Sequence, residues 1–168
     1  MKTRSGVLLF LCISLSAYAQ NRDYPIQPVP FTSVKLNDQF WTSRIETNRT
    51  VTIPASFKRC DSTGRIKNFV MAAEHKGKFC TVYPFDDTDI YKTIEGASYS
   101  LAEHPDPKLQ AYLDSLITIV GKAQEPDGYL YTARTIDPLH PGPWAGPERW
   151  VKEGKRSHEL YCAGHMYE

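Results

Sequence analysis

The sequence predicts a mainly α fold with one short β-strand near its N-terminus, and three observations carry that expectation. Two apolar stripes recur at helical spacing: Ile90, Ile94, Ala97 and Leu101, then Leu109, Leu113, Leu116, Ile117, Val120 and Ala123. Between them, His104-Pro105-Asp106-Pro107 ends one helix and begins the next. Pro105 cannot continue a helix, whereas Asp106 and Pro107 suit an N-cap and a first helical position. A short run at 31–36 alternates Phe, Ser and Lys on one side with Thr, Val and Leu on the other, the pattern of a strand.

Taken in order, residues 1–19 read as a cleavable export signal. Lys2 and Arg4 precede an apolar run from Val7 to Leu15, and Ala17-Tyr18-Ala19 forms a small-x-small cleavage site, so cleavage is expected after Ala19. The apolar run is shorter than the ~20 residues of a membrane span, and nothing downstream approaches that length. A periplasmic or secreted protein without a membrane span is expected. Residues 20–30, with Pro25, Pro28 and Pro30, suit a linker or a surface arm.

After the strand, Asn37 or Asp38 caps a helix carrying Phe40, Trp41 and Ile45, and Pro54 separates it from a short helix running toward Cys60. Asp61-Ser62-Thr63-Gly64 makes a turn, and Ile66, Phe69, Val70 and Ala73 mark a third helix. The two striped segments follow, the first over 88–103, and together they predict an antiparallel helical hairpin closed by Pro126-Asp127-Gly128. Residues 129–155 read as a long loop holding Trp144 and Trp150, and residues 157–168 as a last helix. The sequence stops inside that helix with no Gly, Asn or Pro stop signal, so a truncated portion of a longer protein is expected.

Composition narrows the function classes. The chain has 168 residues, 20 basic and 19 acidic, and removing Lys2 and Arg4 with the leader leaves it near neutrality, which argues against nucleic-acid binding through bulk charge. At 41% hydrophobic and 23% charged it holds enough apolar surface for a core. Export leaves Cys60, Cys80 and Cys162, so at most one disulfide forms within the chain, and burial as a small hydrophobe is the simplest use of the remainder. There is no Gly-x-Ser-x-Gly, phosphate loop or dinucleotide fingerprint.

On the last helix His158, Tyr161, Cys162 and His165 fall within one arc. Such a face could hold a metal, line a sugar cleft or pack as core; imidazole and thiolate ligate zinc, yet no loop-based zinc signature accompanies them. The acidic run Asp86-Asp87-Thr88-Asp89 is explained in large part by helix capping, with Asp89 also open to substrate contact or acid–base use. Trp144 and Trp150 are equally suited to stacking on sugar faces and to anchoring their loop.

Five segments in order resemble the start of the β-L-arabinofuranosidases of glycoside hydrolase family 127. They are Asp38-Gln39-Phe40-Trp41, Gly64-Arg65-Ile66-Lys67-Asn68-Phe69, Asp87-Thr88-Asp89-Ile90-Tyr91-Lys92 with Ile94-Glu95-Gly96-Ala97, Ala123-Gln124 with Asp127-Gly128-Tyr129-Leu130, and Ser157-His158-Glu159-Leu160-Tyr161 with Gly164-His165. The resemblance covers 31–168. It implies the first part of an (α/α)6 barrel, with β-sandwich domains following, in a protein several times longer than this chain.

It also implies retaining hydrolysis of terminal β-L-arabinofuranosyl linkages in plant-type glycans, with a zinc-bound cysteine thiolate as nucleophile and a glutamate as acid/base. The resemblance places those groups beyond this chain, so no catalytic residue and no metal ligand is expected within it, zinc is expected in the full-length protein, and the chain alone is expected to be inactive. His158 matches a histidine that lines the sugar subsite, and Asp89, Glu159, Tyr161 and His165 match motif positions taken as further substrate-binding candidates. The partner expected is a carbohydrate. The alternatives are another (α/α)6 carbohydrate enzyme, such as an unsaturated glucuronyl hydrolase, and a non-catalytic secreted sugar-binding module.

Overall fold

The computed structural model describes residues 26–151 and 156–168. The expected leader and most of the arm before residue 31 lie outside the described residues. The chain divides into two units, Met1–Lys35 and Leu36–Glu168. In the first, the expected strand is replaced by a single 3-10 turn, Phe31–Ser33, and no strand occurs among the described residues. Pro30 and Phe31 carbonyls accept from the Ser33 and Val34 N–H groups at 2.9 Å each. An alternating run needs a neighbouring strand to satisfy its ladder, and here local turn bonds take that role.

The second unit is mainly helical among its described residues. Helix α1 (Gln39–Thr47) begins where Asp38 accepts from the Trp41 N–H at 2.7 Å, the cap read from sequence. Pro54 does not break the chain as expected. A π-helical turn, Asn48–Thr52, joins α1 directly to α2 (Ile53–Ser62), which takes Pro54 in its first turn. The π turn carries the Ile53 N–H back to the Asn48 carbonyl, one residue further than in an α-helix, and Pro54, which has no N–H, follows this change of register.

Gly64, at φ 82°, then reverses direction into α3 (Arg65–Ala73). A side chain at Gly64 would also meet the Cys80 Cβ at 2.6 Å, so glycine serves both the turn and the close approach of the 77–83 segment. Asn68, buried on α3, fixes that segment by accepting from the Cys80 N–H at 2.8 Å. A 3-10 turn, Pro84–Asp86, leads into α4 (Asp87–Glu103), and α5 (Pro107–Ala123) follows after three residues. Asp106 caps α5 with bonds from the Lys108 and Leu109 N–H groups at 2.9 and 3.2 Å.

The stripes seal the core as expected except at Ile117, which is 52% exposed. Ala97, Leu113 and Leu116 join Ile53 and Phe57 of α2 in one cluster, while Ile90 and Ala123 join Phe69 and Ala72 of α3 in another. The long loop expected over 129–155 instead contains a buried five-residue helix, α6 (Thr132–Ile136). Its residues Thr132, Arg134 and Thr135 give no apolar period, which is why spacing alone does not reveal it.

The last helix, α7, spans Glu159–Tyr167 and starts two residues later than expected. By contrast with α4 and α5, α1 leaves its apolar residues outward: Phe40 and Trp41 are both 55% exposed. Among the described residues no helix is long and apolar enough to cross a membrane.

Candidate functional site

The site forms where the starts of α4 and α7 meet the 3-10 turn at Phe85. Its construction begins with two residues that flank His158. The Ser157 carbonyl accepts from the Tyr131 hydroxyl at 2.6 Å, and the Glu159 carboxylate accepts from the Tyr129 hydroxyl at 2.9 Å and the Trp150 N–H at 3.0 Å. Ser157 and Glu159 are both buried. Pinned on both sides, His158 takes the left-handed conformation at φ 54° and turns its half-buried ring to the outside of the corner. A non-glycine residue held there stores roughly 1–3 kcal/mol, which persists only where the surroundings impose it.

The His158 ring packs on Phe85 at 4.7 Å between centroids and lies 6.3 Å from Tyr161. Since His158 precedes α7, the common helix face expected for His158, Tyr161, Cys162 and His165 is not formed. Cys162 is fully buried and points its thiol at the Phe85 carbonyl, 3.7 Å away. Tyr161 is 46% exposed, packs edge-on against His165 at 4.7 Å, and its hydroxyl bonds the Lys92 ammonium. His165 is half-buried and lies 3.1 Å from a Glu168 carboxylate oxygen through Nδ1.

Glu159, a sugar-contact candidate by resemblance, is turned inward. At 1% exposure its carboxylate serves the Tyr129 and Trp150 contacts and leaves no face for a ligand. Burial and the adjacent Glu159 charge push the Tyr129 phenol far above its ordinary range, so it stays protonated and keeps donating.

The acidic run divides its labour. Asp87 is buried and accepts from the Thr132 N–H at 2.8 Å and the Thr132 hydroxyl at 2.5 Å, pinning α6 to α4. Burial pushes its carboxyl up to about 7 against the opposing effect of those bonds. Asp86 is also raised, burial outweighing the Arg65 guanidinium 3.1 Å away.

Asp89 sits in the first turn of α4, where a carboxylate complements the helix dipole. Its carboxylate meets Arg65 Nε at 2.6 Å at a groove also lined by Arg59, Cys60, Lys92 and Thr93. Lys92, which sequence reasoning passed over, links this groove to Tyr161 and so connects Asp89 with the His158 side. Its position three residues after Asp89 on one helix was the available signal, because such pairs share a face.

The three cysteines do not assemble a thiolate metal centre. None forms a disulfide, and the Cys60, Cys80 and Cys162 thiols each direct a weak hydrogen bond to a backbone carbonyl at 3.7–4.0 Å. Burial raises the Cys60 thiol further from ionisation. Among the described residues the one grouping with metal-ligand proximity is Glu95, His165 and Glu168, which contains no cysteine. The residues present therefore do not fit the zinc–cysteine centre that the resemblance implies for the longer protein.

What the arrangement offers is an imidazole, a phenol, an ammonium and a carboxylate at the edge of aromatic rings. That combination of hydrogen-bonding groups and flat apolar faces matches a polyol such as a sugar.

The family model described as "Beta-L-arabinofuranosidase, GH127 catalytic domain" matches residues 33–168. A "Non-reducing end beta-L-arabinofuranosidase" of Bifidobacterium longum subsp. longum is 33% identical over 153 residues, covering 90% of this chain and 22% of that protein. Among solved structures, a GH127 beta-arabinofuranosidase is 61% identical with a TM-score of 0.79, covering 85% of this chain and 23% of the other. A GH127 beta-L-arabinofuranosidase from Geobacillus stearothermophilus T6 is 35% identical with a TM-score of 0.70, covering 79% of this chain and 21% of the other. The chain thus spans 22% of the length of the curated relative it matches. On the family match over 33–168, this chain belongs to the GH127 β-L-arabinofuranosidase catalytic-domain family.

Proposed function

We propose that the protein carrying this chain is an exported glycosidase that releases terminal β-L-arabinofuranosyl groups from plant-type glycans with retention of configuration. Residues 1–19 are its leader and 20–30 a surface arm. Residues 31–168 are the N-terminal portion of a catalytic (α/α)6 barrel working in the periplasm or outside the cell. The carrying observation is the pinned, left-handed His158, whose ring is presented beside Phe85 and Tyr161 in a chain matched to this family.

In this reading the chain holds the sugar and does not cleave it. His158 donates to or accepts from a ring hydroxyl, Tyr161 and Lys92 supply a further donor pair, and Asp89 accepts at the groove edge. His165 supports Tyr161 through their ring contact, and Glu159 positions His158 from below. The nucleophile, the acid/base and any zinc belong to residues outside this chain, and the chain alone is inactive.

An unsaturated glucuronyl hydrolase would instead need a proton-transferring acid from the part present. Asp89 is poorly placed for that task, because its carboxylate is engaged by the Arg65 guanidinium at 2.6 Å. The test is hydrolysis by the protein expressed from the complete gene, with 4-nitrophenyl β-L-arabinofuranoside and an unsaturated glucuronide as competing substrates. Release of arabinose, with methanol capture giving the β-methyl glycoside by NMR, supports the proposal. Cleavage of the glucuronide alone, abolished by Asp89→Asn, overturns it.

A further inference from the structure

A second cavity, of about 280 Å³, lies between the segment after α3 and the segment after α6. Phe79, Ile136 and Trp144 give it apolar walls, and Lys78, Asp137 and His140 give it polar ones. It is joined to His158 by an unbroken run of rings. Trp144 meets Tyr83 edge-on at 5.5 Å, Tyr83 stacks on Phe85 at 5.4 Å, and Phe85 packs on His158 at 4.7 Å.

Three features distinguish this from a tryptophan that only anchors its loop. Trp144 is half-buried and lines the cavity. Its backbone neighbourhood is fixed from beneath, since Arg134 donates to the Gly146 carbonyl at 2.6 Å and Ala145 is buried. The Asp137 carboxylate is likewise oriented in advance, accepting from the Leu139 and His140 N–H groups at 3.2 and 3.0 Å. A flat ring on a fixed backbone and a carboxylate oriented before any ligand arrives, with an imidazole and an ammonium at the rim, make a sugar-shaped set of contacts: the apolar C–H face rests on the ring, and hydroxyls meet the polar wall.

We propose that this cavity is a second carbohydrate subsite, which takes a sugar unit on the leaving-group side of the glycan whose terminal residue sits at His158. The inference rests on the glycosidase reading above and extends it from the cleaved residue to the remainder of the substrate. Trp144 is the residue that selects for longer glycans, and Tyr83, 46% exposed, is the step between the two subsites.

The test uses the protein expressed from the complete gene, with two substrates and one inert ligand. The substrates are methyl β-L-arabinofuranoside, too small to reach Trp144, and a β-L-arabinofuranosyl trisaccharide. The ligand is the same trisaccharide with sulfur at the scissile linkage. Trp144→Ala is expected to raise KM for the trisaccharide about tenfold while leaving kcat/KM for the methyl glycoside within about twofold, and to weaken calorimetric binding of the thio-trisaccharide about tenfold. Trp144→Phe, which keeps a ring, should fall between and guards against a variant that fails to fold.

Equal losses on both substrates, or unchanged binding of the thio-trisaccharide, overturn the subsite. If the wild-type protein cleaves neither substrate, the glycosidase reading fails and calorimetry alone decides the subsite. Trp144-dependent binding then supports it, and absent or Trp144-independent binding overturns it.

Discussion

In the α4–α5 hairpin, Ala97, Leu113 and Leu116 meet in an apolar seam whose members are interchangeable in kind, each contributing transfer and packing energy. In the corner, among the described residues from 125 to 159, the buried polar groups are Thr132, Arg134, Thr135, Ser157 and Glu159, set among buried Tyr129, Tyr131 and Ile136 and bonded to partners distant in sequence. Arg134 alone donates to the carbonyls of Gly146, Glu148 and Pro147 at 2.6, 3.1 and 3.5 Å. Glu125 joins Thr135 and Arg149 at 2.9 and 2.6 Å. Apolar seams tolerate imperfect replacement, whereas a buried polar brace loses everything when one partner goes. The hairpin therefore supplies general stability, and the corner supplies the fixed backbone that presents His158.

The sharpest way to break this contrast is to remove Arg134. Arg134→Ala should cost about 3–5 kcal/mol, because it strands the buried Gly146 carbonyl and the Glu159 carboxylate 3.9 Å away. Leu113→Ala, at a site 2% exposed in the hairpin seam, should cost about 3 kcal/mol. Urea unfolding gives both losses. The contrast sharpens if Arg134→Ala also abolishes sugar binding while Leu113→Ala, compared at equal fraction folded, leaves it intact. Equal binding losses from both would show that the corner has no special role.

A pH effect also distinguishes the two regions. Asp87 ties the hairpin to the corner, and its folded carboxyl is raised from 3.8 to about 7. Between those values the folded protein holds a proton that the unfolded chain has released, so this contribution is fully present below about pH 4 and is lost as pH rises through about 7. Asp87→Asn, which keeps an acceptor for the Thr132 N–H, should remove that part of the decline. Denaturation midpoints measured at both ends of the window test it, and parallel curves for variant and wild type would contradict it. The smallest effect belongs to the hairpin's own cap: Asp106→Ala should cost about 1 kcal/mol by thermal melting and leave sugar binding unchanged.

The same contrast governs what could be read in advance. Helices α4 and α5, their Asp106 cap and the Asp38 cap were legible because apolar period and capping chemistry are local. Pro54 misled because proline's cost depends on whether its missing N–H was needed, and the π turn before it removes that need. The strand at 31–36 misled because alternation describes two faces without supplying the neighbouring strand that makes them useful. Helix α6 was invisible for the complementary reason, since Thr132, Arg134 and Thr135 are buried by partners distant in sequence.

At the candidate site, His158 was singled out from a shared helix face and from the family motif. The helical-wheel reading placed it on α7 and missed the left-handed turn, which arises from Tyr131 and Tyr129, 26 and 30 residues from the groups they hold. Lys92 was overlooked and Glu159 was given an outward role, both because spacing reports a shared face and not which neighbour covers it.

The role assigned to the corner is to present His158 to a sugar. Its most direct measurement is kcat/KM on 4-nitrophenyl β-L-arabinofuranoside for wild type, His158→Ala and Glu159→Gln of the protein expressed from the complete gene, with melting temperatures alongside. Presentation of His158 to a sugar predicts a loss of about a hundredfold or more for His158→Ala with the fold intact by melting, as expected when an oriented hydrogen bond to substrate is removed, and a smaller loss for Glu159→Gln. A His158→Ala enzyme with wild-type kinetics would contradict it.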